Sequence, residues 1–248
     1  MAVRRHLKNA PIREALIDIQ FEPQLSIDAL NYFAEAVSSK YDKQTKIWQQ
    51  SFGLEIVPEG DSKTISEQAI IGIRFDSEKL GHIVQVRVNG FTFSKLAPYK
   101  DWEEVKVAAQ EAWRDFVKFS KPATVNRVAV RYINALEIPL PINDFSEYLT
   151  SSPQVPKELP QGLSAFLQRV VMVEPKTQYA AVVTQALEEP KSATQSNTIT
   201  IFMDIDCFQV KQFETCNDDL WTTFDGLRDF KNAIFFEYIT ERTAELFE

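Results

Sequence analysis

Two arginines interrupt an otherwise apolar stretch in the middle of the chain, TVNRVAVRYINALEIP at residues 124–139. Alternation along a strand places Arg127 and Arg131 on one face and the apolar residues at 128, 130 and 132 on the other. A guanidinium is a planar fork of donors that suits phosphate and carboxylate groups. The pair therefore predicts either a site for an anionic ligand or ion pairs with acids on a neighbouring strand.

The same pattern extends to two further arginines. Arg74 alternates with apolar neighbours in a strand predicted at 68–76, and Arg87 does so in a strand predicted at 82–89. The four candidate ligand-binding residues, all expected on the sheet face away from the helices, are Arg74, Arg87, Arg127 and Arg131. Nucleic acid or another phosphate-bearing ligand would suit them, although minor-groove binding also needs apolar wedges that are not evident in register.

Acids on the first predicted strand offer the simpler alternative. If strand 13–21 pairs antiparallel with strand 125–138, Glu14 and Asp18 face Arg127 and Arg131. Opposite charges across a ladder stabilise a sheet by roughly 0.2–1 kcal/mol each. Ion pairing alone would then account for both central arginines.

No catalytic or metal-binding pattern stands beside the arginines. The chain has two cysteines, Cys207 and Cys216, and two histidines, so a zinc-type cluster is not expected. The segment GLSAF from Gly162 lacks the final glycine of a nucleophile elbow. Tyr99, Trp102 and Trp113 could line a pocket, but aromatic residues on amphipathic helices usually belong to a core. We expect a protein that is not an enzyme and needs no cofactor.

Charge and composition restrict the partners. The chain has 248 residues, 44% hydrophobic, with a formal charge of −8 and a pI near 5.0. An acidic surface disfavours non-specific binding to nucleic acid or anionic membrane. No secretory signal or membrane-length apolar run is seen, so we expect a cytoplasmic protein that does not bind a membrane.

The elements that must position these residues occur in the same order twice. The first half, 1–121, reads as a strand at 13–21, a helix capped by Ser26, strands at 46–58, 68–76, 82–89 and 91–95, and a helix from Asp101 to Ser120. The second half, 122–248, reads as a strand at 125–138, a short helix at Asn143, strands at 166–174, 177–187, 197–205 and 207–213, and a helix from Asn217 towards Phe247.

Asn89-Gly90 is the strongest local turn signal, because it suits a two-residue hairpin with positive φ at both positions. That turn predicts pairing of Val88 with Phe91 and of Val86 with Phe93. The segment EEPKSATQSNT at 188–198 reads as an exposed loop that could bind a partner.

This order predicts an α+β protein. It resembles the duplicated β-α-β(3-4)-α unit of the TATA-binding-protein-like fold, in which two halves form one curved antiparallel sheet with long helices on one face. We expect the halves to pack as one continuous domain. The alternative is a helix-grip fold, in which a sheet wraps a long C-terminal helix.

Four segments carry a resemblance at family level. NAPIREALIDI, FSKLAPYKDWEE, NRVAVRYINALEIP and FFEYIT resemble a sporadically distributed family of uncharacterised prokaryotic proteins of about this length. The resemblance implies no established activity or catalytic residue, and the sporadic distribution implies a mobile-element or defence context. We therefore expect a binding or interaction module acting in protein–protein recognition or self-association, with an unknown protein partner or a second copy. Binding of nucleic acid or a phosphate-bearing ligand is the alternative.

Overall fold

A computed structural model of the chain describes residues 1–55, 63–187, 197–215 and 218–248. The predicted loop at 188–198 lies almost wholly outside these ranges, as do Cys216, Asn217 and the last residues of the strand predicted at 46–58. The strands are β1 (Ile12–Glu22), β2 (Lys43–Glu55), β3 (Lys63–Ser77), β4 (His82–Arg87), β5 (Gly90–Leu96), β6 (Thr124–Pro139), β7 (Phe166–Val173), β8 (Ala180–Leu187) and β9 (Thr198–Glu214).

Within the described ranges, four α-helices accompany the strands: α1 (Ile27–Ala36), α2 (Trp102–Ser120), α3 (Asp218–Tyr238) and α4 (Glu241–Glu245). Side chains begin the first two helices, because Ser26 accepts from the Ala29 amide and Asp101 accepts from the Glu104 amide. Lys121 ends α2 in the left-handed conformation, at φ 49°. The short helix predicted at Asn143 is a 3₁₀ turn at Phe145–Glu147.

The nine strands of the described residues form one antiparallel sheet in the order β2-β3-β4-β5-β1-β6-β9-β8-β7. β1 and β6 are adjacent at its centre, where Ile17 pairs with Val130 and Ile19 with Val128. The expected contact between the first strands of the two halves is therefore present, and the sheet is continuous across residue 121. The chain is α+β with a single large antiparallel sheet.

The helices lie against one face of the sheet, and the core is between them. Alternate residues of β1, from Ala15 to Phe21, are buried against that side, each large apolar side chain contributing about 1.5–3 kcal/mol. Apolar side chains recur at helical spacing on α2 and are buried, with Phe116 in contact with Phe21, Phe33 and Phe91. α3 packs on β6 and β9. The C-terminal helix thus shares its face with α1 and α2, whereas a helix-grip sheet would enclose it.

The hairpin register predicted at Asn89-Gly90 is wrong. The turn falls on Val88-Asn89, Arg87 pairs with Gly90, and Phe91 pairs with Val86 rather than Val88. Neither Asn89 nor Gly90 has a positive φ. Tertiary contacts hold this turn: the Val88 amide donates to the Ile71 carbonyl at 3.0 Å, and the Asn89 carbonyl accepts from the Phe21 amide at 3.2 Å. The shift is two residues, so each side chain keeps its predicted face.

Two element boundaries also differ from the prediction. The strands predicted at 197–205 and 207–213 are one strand, β9, because its ladder to β6 continues past Asp206 and Cys207. The C-terminal helix stops at Tyr238 and restarts as α4 after Thr240, whose side chain caps the new helix. In the part of the chain that the structure describes, no helix is both long enough and apolar enough to cross a membrane.

Candidate functional site

The sheet face away from the helices, called the open face below, carries the four predicted arginines. β-strand alternation and the ladder registers bring them to this face from β3, β4 and β6. Each guanidinium lies within ion-pair distance of an aspartate: Asp76, Asp18, Asp206 or Asp204. The structure thus places the predicted residues on one face and pairs each of them with an acid.

Asp18 of β1 is the centre of this charged network. Its Oδ1 accepts from Arg127 Nη1 at 3.2 Å, and its Oδ2 accepts from Thr92 Oγ1 at 2.7 Å and Arg87 Nη2 at 3.3 Å. Arg127 also donates through Nη2 to Asp206 at 3.2 Å. These side chains are mostly buried, so their charges are screened less than surface charges. The network links β4, β5, β1, β6 and β9 across the open face.

The two outer arginines make shorter ion pairs, one across to the neighbouring strand and one within a single strand. Arg131 donates to both carboxylate oxygens of Asp204, at 2.8 and 2.5 Å. Arg74 binds Asp76 on its own strand, at 2.6 Å between Nη2 and Oδ1. Hydrogen bonding to these carboxylates raises the pKa of each guanidinium and lowers the pKa of Asp76. Both arginines are therefore fully charged and already bound to an acid.

The predicted pairing of Glu14 and Asp18 with the central arginines is present in part. Asp18 forms an ion pair with Arg127, whereas Arg131 forms one with Asp204 of β9. Within the described ranges Glu14 makes no ion pair, and it acts on Arg131 only as a nearby charge that raises the pKa of the guanidinium. Asp206 is buried enough that desolvation raises its pKa, against the opposing effect of Arg127 and Arg131.

Charge balance decides what the network can do. Four arginines face four aspartates, so the cluster has no surplus positive charge. A phosphate would have to displace a carboxylate from a bidentate or partly buried pair, which is costly. No group of three or more metal-ligating side chains occurs among the described residues. The arrangement ties five strands together and supplies neither a nucleophile nor a metal site.

Beside the network, the open face becomes apolar. Leu167, Val171 and Val173 project from β7 and are 75%, 56% and 58% exposed. Phe202 and Val210 of β9 are also exposed on this side. We call these five residues the apolar surface. Between it and the network, the Phe208 ring lies 4.4 Å from the Arg127 guanidinium carbon.

The apolar surface ends at a free sheet edge. β7 pairs with β8 on one side, and among the described residues no strand pairs with its other side. Its sequence, FLQRVVMV, contains a single charge, Arg169. Edge strands are normally protected by several charges, prolines or bulges, and β7 has one arginine. The sequence analysis missed this surface, although the alternation in FLQRVVMV was the available signal.

Comparison with known proteins gives no family for this chain. No family model matches the chain, and a search of curated proteins found no match. The site must therefore be interpreted from its own geometry.

Proposed function

We propose that the protein is a non-enzymatic interaction module that self-associates through the apolar surface and the β7 edge. One observation carries the proposal: three large aliphatic side chains are more than half exposed along an edge strand whose backbone is unpaired among the described residues. Exposed apolar side chains that lie close together mark interaction surfaces in soluble proteins, and here the exposed Arg169 lies between Leu167 and Val171 on the same face. An unpaired edge adds a row of backbone donors and acceptors for a further strand.

A second copy fits this edge without new side-chain chemistry. Two β7 strands related by a two-fold axis would run antiparallel, so each would supply the donors and acceptors that the other lacks. The middle residues of β7 are Arg169 and Val170, and Val171 is next to them, so Val171 would lie within a few residues of its own copy. The net charge of −8 opposes association in general. The acids bordering this surface, Asp204 and Asp206, are paired with arginines, so little repulsion is concentrated there.

The mirrored strand order supports a further proposal, that the fold is a duplicated TATA-binding-protein-like unit. In each half the first strand is central, the last strand lies next to it, and the preceding strands follow outwards: β1, β5, β4, β3 and β2 on one side, and β6, β9, β8 and β7 on the other. The second side has one strand fewer. Its free edge is therefore β7, where the apolar surface lies.

Light scattering coupled to size exclusion tests self-association. We expect the wild-type chain to elute as a dimer and Val171→Asp to elute as a monomer, because a buried carboxylate without a partner is strongly unfavourable. Val107→Asp is the matched control, since Val107 is equally exposed on α2, away from the sheet edge. A wild-type monomer at all concentrations, or equal dimerisation of Val171→Asp, would contradict the proposal.

Binding of nucleic acid or a phosphate-bearing ligand to the four arginines stays a prediction with weaker support. Four guanidiniums on one face favour it, and their pairing with aspartates opposes it. Salt-sensitive retardation of DNA or RNA that disappears in Arg127→Ala/Arg131→Ala would support it. The mobile-element or defence context implied by the family resemblance is likewise a prediction.

A further inference from the structure

A lysine is buried on the helix side of the sheet, opposite the open face. Lys231 of α3 is 6% exposed, and its ammonium nitrogen lies 3.7 Å from the centre of the Tyr132 ring. No carboxylate of the described residues is within ion-pair distance of it. Burying an ammonium without a counter-ion is expensive. The aromatic ring offsets only part of that cost.

Lys231 lines a cavity of about 310 Å³ between the N-terminal segment, the start of α2 and the middle of α3. The N-terminal segment is fixed in place, because the Ala2 amide donates to the Phe236 carbonyl and the Asn9 amide donates to the Phe247 carbonyl. Asn134 of β6 also lines the cavity, and its own side-chain amide is held by the Met203 carbonyl at 2.9 Å. The cavity is thus built from ordered parts of the fold.

The cavity is electropositive in a protein that is acidic overall. The lysines and arginines that line it are Arg4, Arg5, Lys100, Arg228 and Lys231. The one carboxylate that the described residues place in the lining is Asp101. Arg5 is compensated by Glu241 and Glu248. Arg4 and Arg228 share a single oxygen of Asp229, at 2.8 and 3.0 Å. One carboxylate for two guanidiniums leaves a surplus of positive charge beside Lys231.

Neutral groups of the cavity complement that charge. The Tyr132 hydroxyl donates to the Tyr99 hydroxyl at 3.3 Å, so the Tyr99 proton remains for another acceptor. Burial raises the pKa of both tyrosines, which keeps both hydroxyls protonated. Trp102 and Phe235 supply apolar wall. Polar groups that converge beside an apolar wall are a usual feature of a small-molecule site.

We propose that this cavity binds a small organic anion, a carboxylate or a phosphate monoester with an aromatic or aliphatic body, and that Lys231 is its counter-ion. The volume is at the lower end of the range of ligand pockets. The anion would contact the ammonium of Lys231 and the Tyr99 hydroxyl, and its body would lie against the apolar wall. This site is separate from the open face and does not depend on self-association.

The charges around Lys231 make the proposed site sensitive to pH. The pKa of Lys231 is lowered to about 7, chiefly by burial; Arg228 on its own helix and Arg4 on the N-terminal segment act in the same direction, and Cys207 on β9 opposes them. An anion in the cavity favours the ammonium and so raises that pKa. By linkage, the anion binds more tightly at pH values below about 7 than above it.

Calorimetric titration with benzoate, phenyl phosphate, inorganic phosphate and benzyl alcohol tests the proposal. Benzyl alcohol is the neutral analogue of benzoate and should bind at least about tenfold more weakly. For Lys231→Met we expect a loss of about tenfold or more in affinity for benzoate or phenyl phosphate, and Arg228→Gln should weaken binding in the same direction. Lys79→Met, at an exposed turn, should bind as the wild type does.

Several results would overturn the proposal. Absence of binding by every anion up to about 10 mM would do so, as would equal affinity for benzoate and benzyl alcohol. Unchanged affinity in a folded Lys231→Met protein would remove the lysine from the site. If only inorganic phosphate bound, and bound equally to Lys231→Met, the cavity would not be an organic-anion site.

Discussion

Replacing Lys231 by methionine should make the stability of the protein depend less on pH. Methionine preserves most of the length of the lysine stem and removes the ammonium. In the wild type the pKa of Lys231 is about 7, against an ordinary value of 10.5. Between these two values the unfolded chain holds a proton at this lysine that the folded chain lacks. The free energy of unfolding of the wild type therefore rises with pH across that window.

The size of this change in the free energy of unfolding follows from the pKa shift of Lys231. One proton bound only by the unfolded chain changes the free energy of unfolding by about 1.4 kcal/mol per pH unit. Allowing for partial protonation at pH 7, the wild type should gain about 2 kcal/mol relative to Lys231→Met between pH 7 and pH 9. Below about pH 6 both states of the wild type are protonated at Lys231, so the difference between the proteins should level off.

Urea unfolding of both proteins at several pH values between about 6 and 9 gives the required difference. Other titrating groups are common to the two proteins and cancel, and Lys79→Met should show a constant difference from the wild type because its side chain is exposed. A difference for Lys231→Met that does not change with pH would refute the reasoning. It would show that Tyr132 and the cavity hold the ammonium at close to its ordinary pKa.

Two further substitutions test the architecture in the same urea assay. Asp18→Asn removes a charge that Arg127 contacts at 3.2 Å in a mostly buried setting, so we expect the free energy of unfolding to fall by about 1–3 kcal/mol. Glu137→Gln is the control, because its ion pair is exposed, and it should change the free energy of unfolding by less than about 1 kcal/mol. If Asp18→Asn lost no more stability than Glu137→Gln, the Asp18 network would add no stability beyond that of an exposed pair. Gly72→Ala would place a Cβ 2.4 Å from the Val86 carbonyl oxygen, and we expect a loss of about 1–3 kcal/mol from overpacking; a neutral result would show that β3 and β4 can separate freely.

The parts of the fold that sequence predicted well are those in which local pattern and tertiary packing agree. The helix predicted from Asp101 to Ser120 is α2, which spans Trp102–Ser120 and has Asp101 as its cap, with its apolar side chains buried. Pairing of β1 with β6 followed from the order of elements and is present. Each of these features depends on residues close together in sequence or on the order of elements along the chain, and a single sequence contains both.

The prediction failed where groups far along the chain fix the local conformation or supply the partner. Asn89-Gly90 has the local preference for a hairpin turn, yet the Phe21 amide and the Ile71 carbonyl bind the backbone of Val88 and Asn89 instead. These partners come from β1 and β3, so no local rule could have included them. The Arg131 partner was missed for the same reason, because Asp204 is on β9, far along the chain. Only the completed sheet order places that aspartate beside the arginine.

Lys231 was missed although the sequence contained its signal. It follows Leu227 by four residues and precedes Ile234 by three, so helical periodicity places it within the buried stripe of α3. Strand alternation places the four arginines on the open face, but each of them forms an ion pair with an aspartate. A cation within an apolar stripe has no local acid to satisfy it, and the fold provides none among the described residues. A ligand of opposite charge is the simplest compensation for a buried cation that has no counter-ion, and that argument favours the cavity over the arginine face as the anion site.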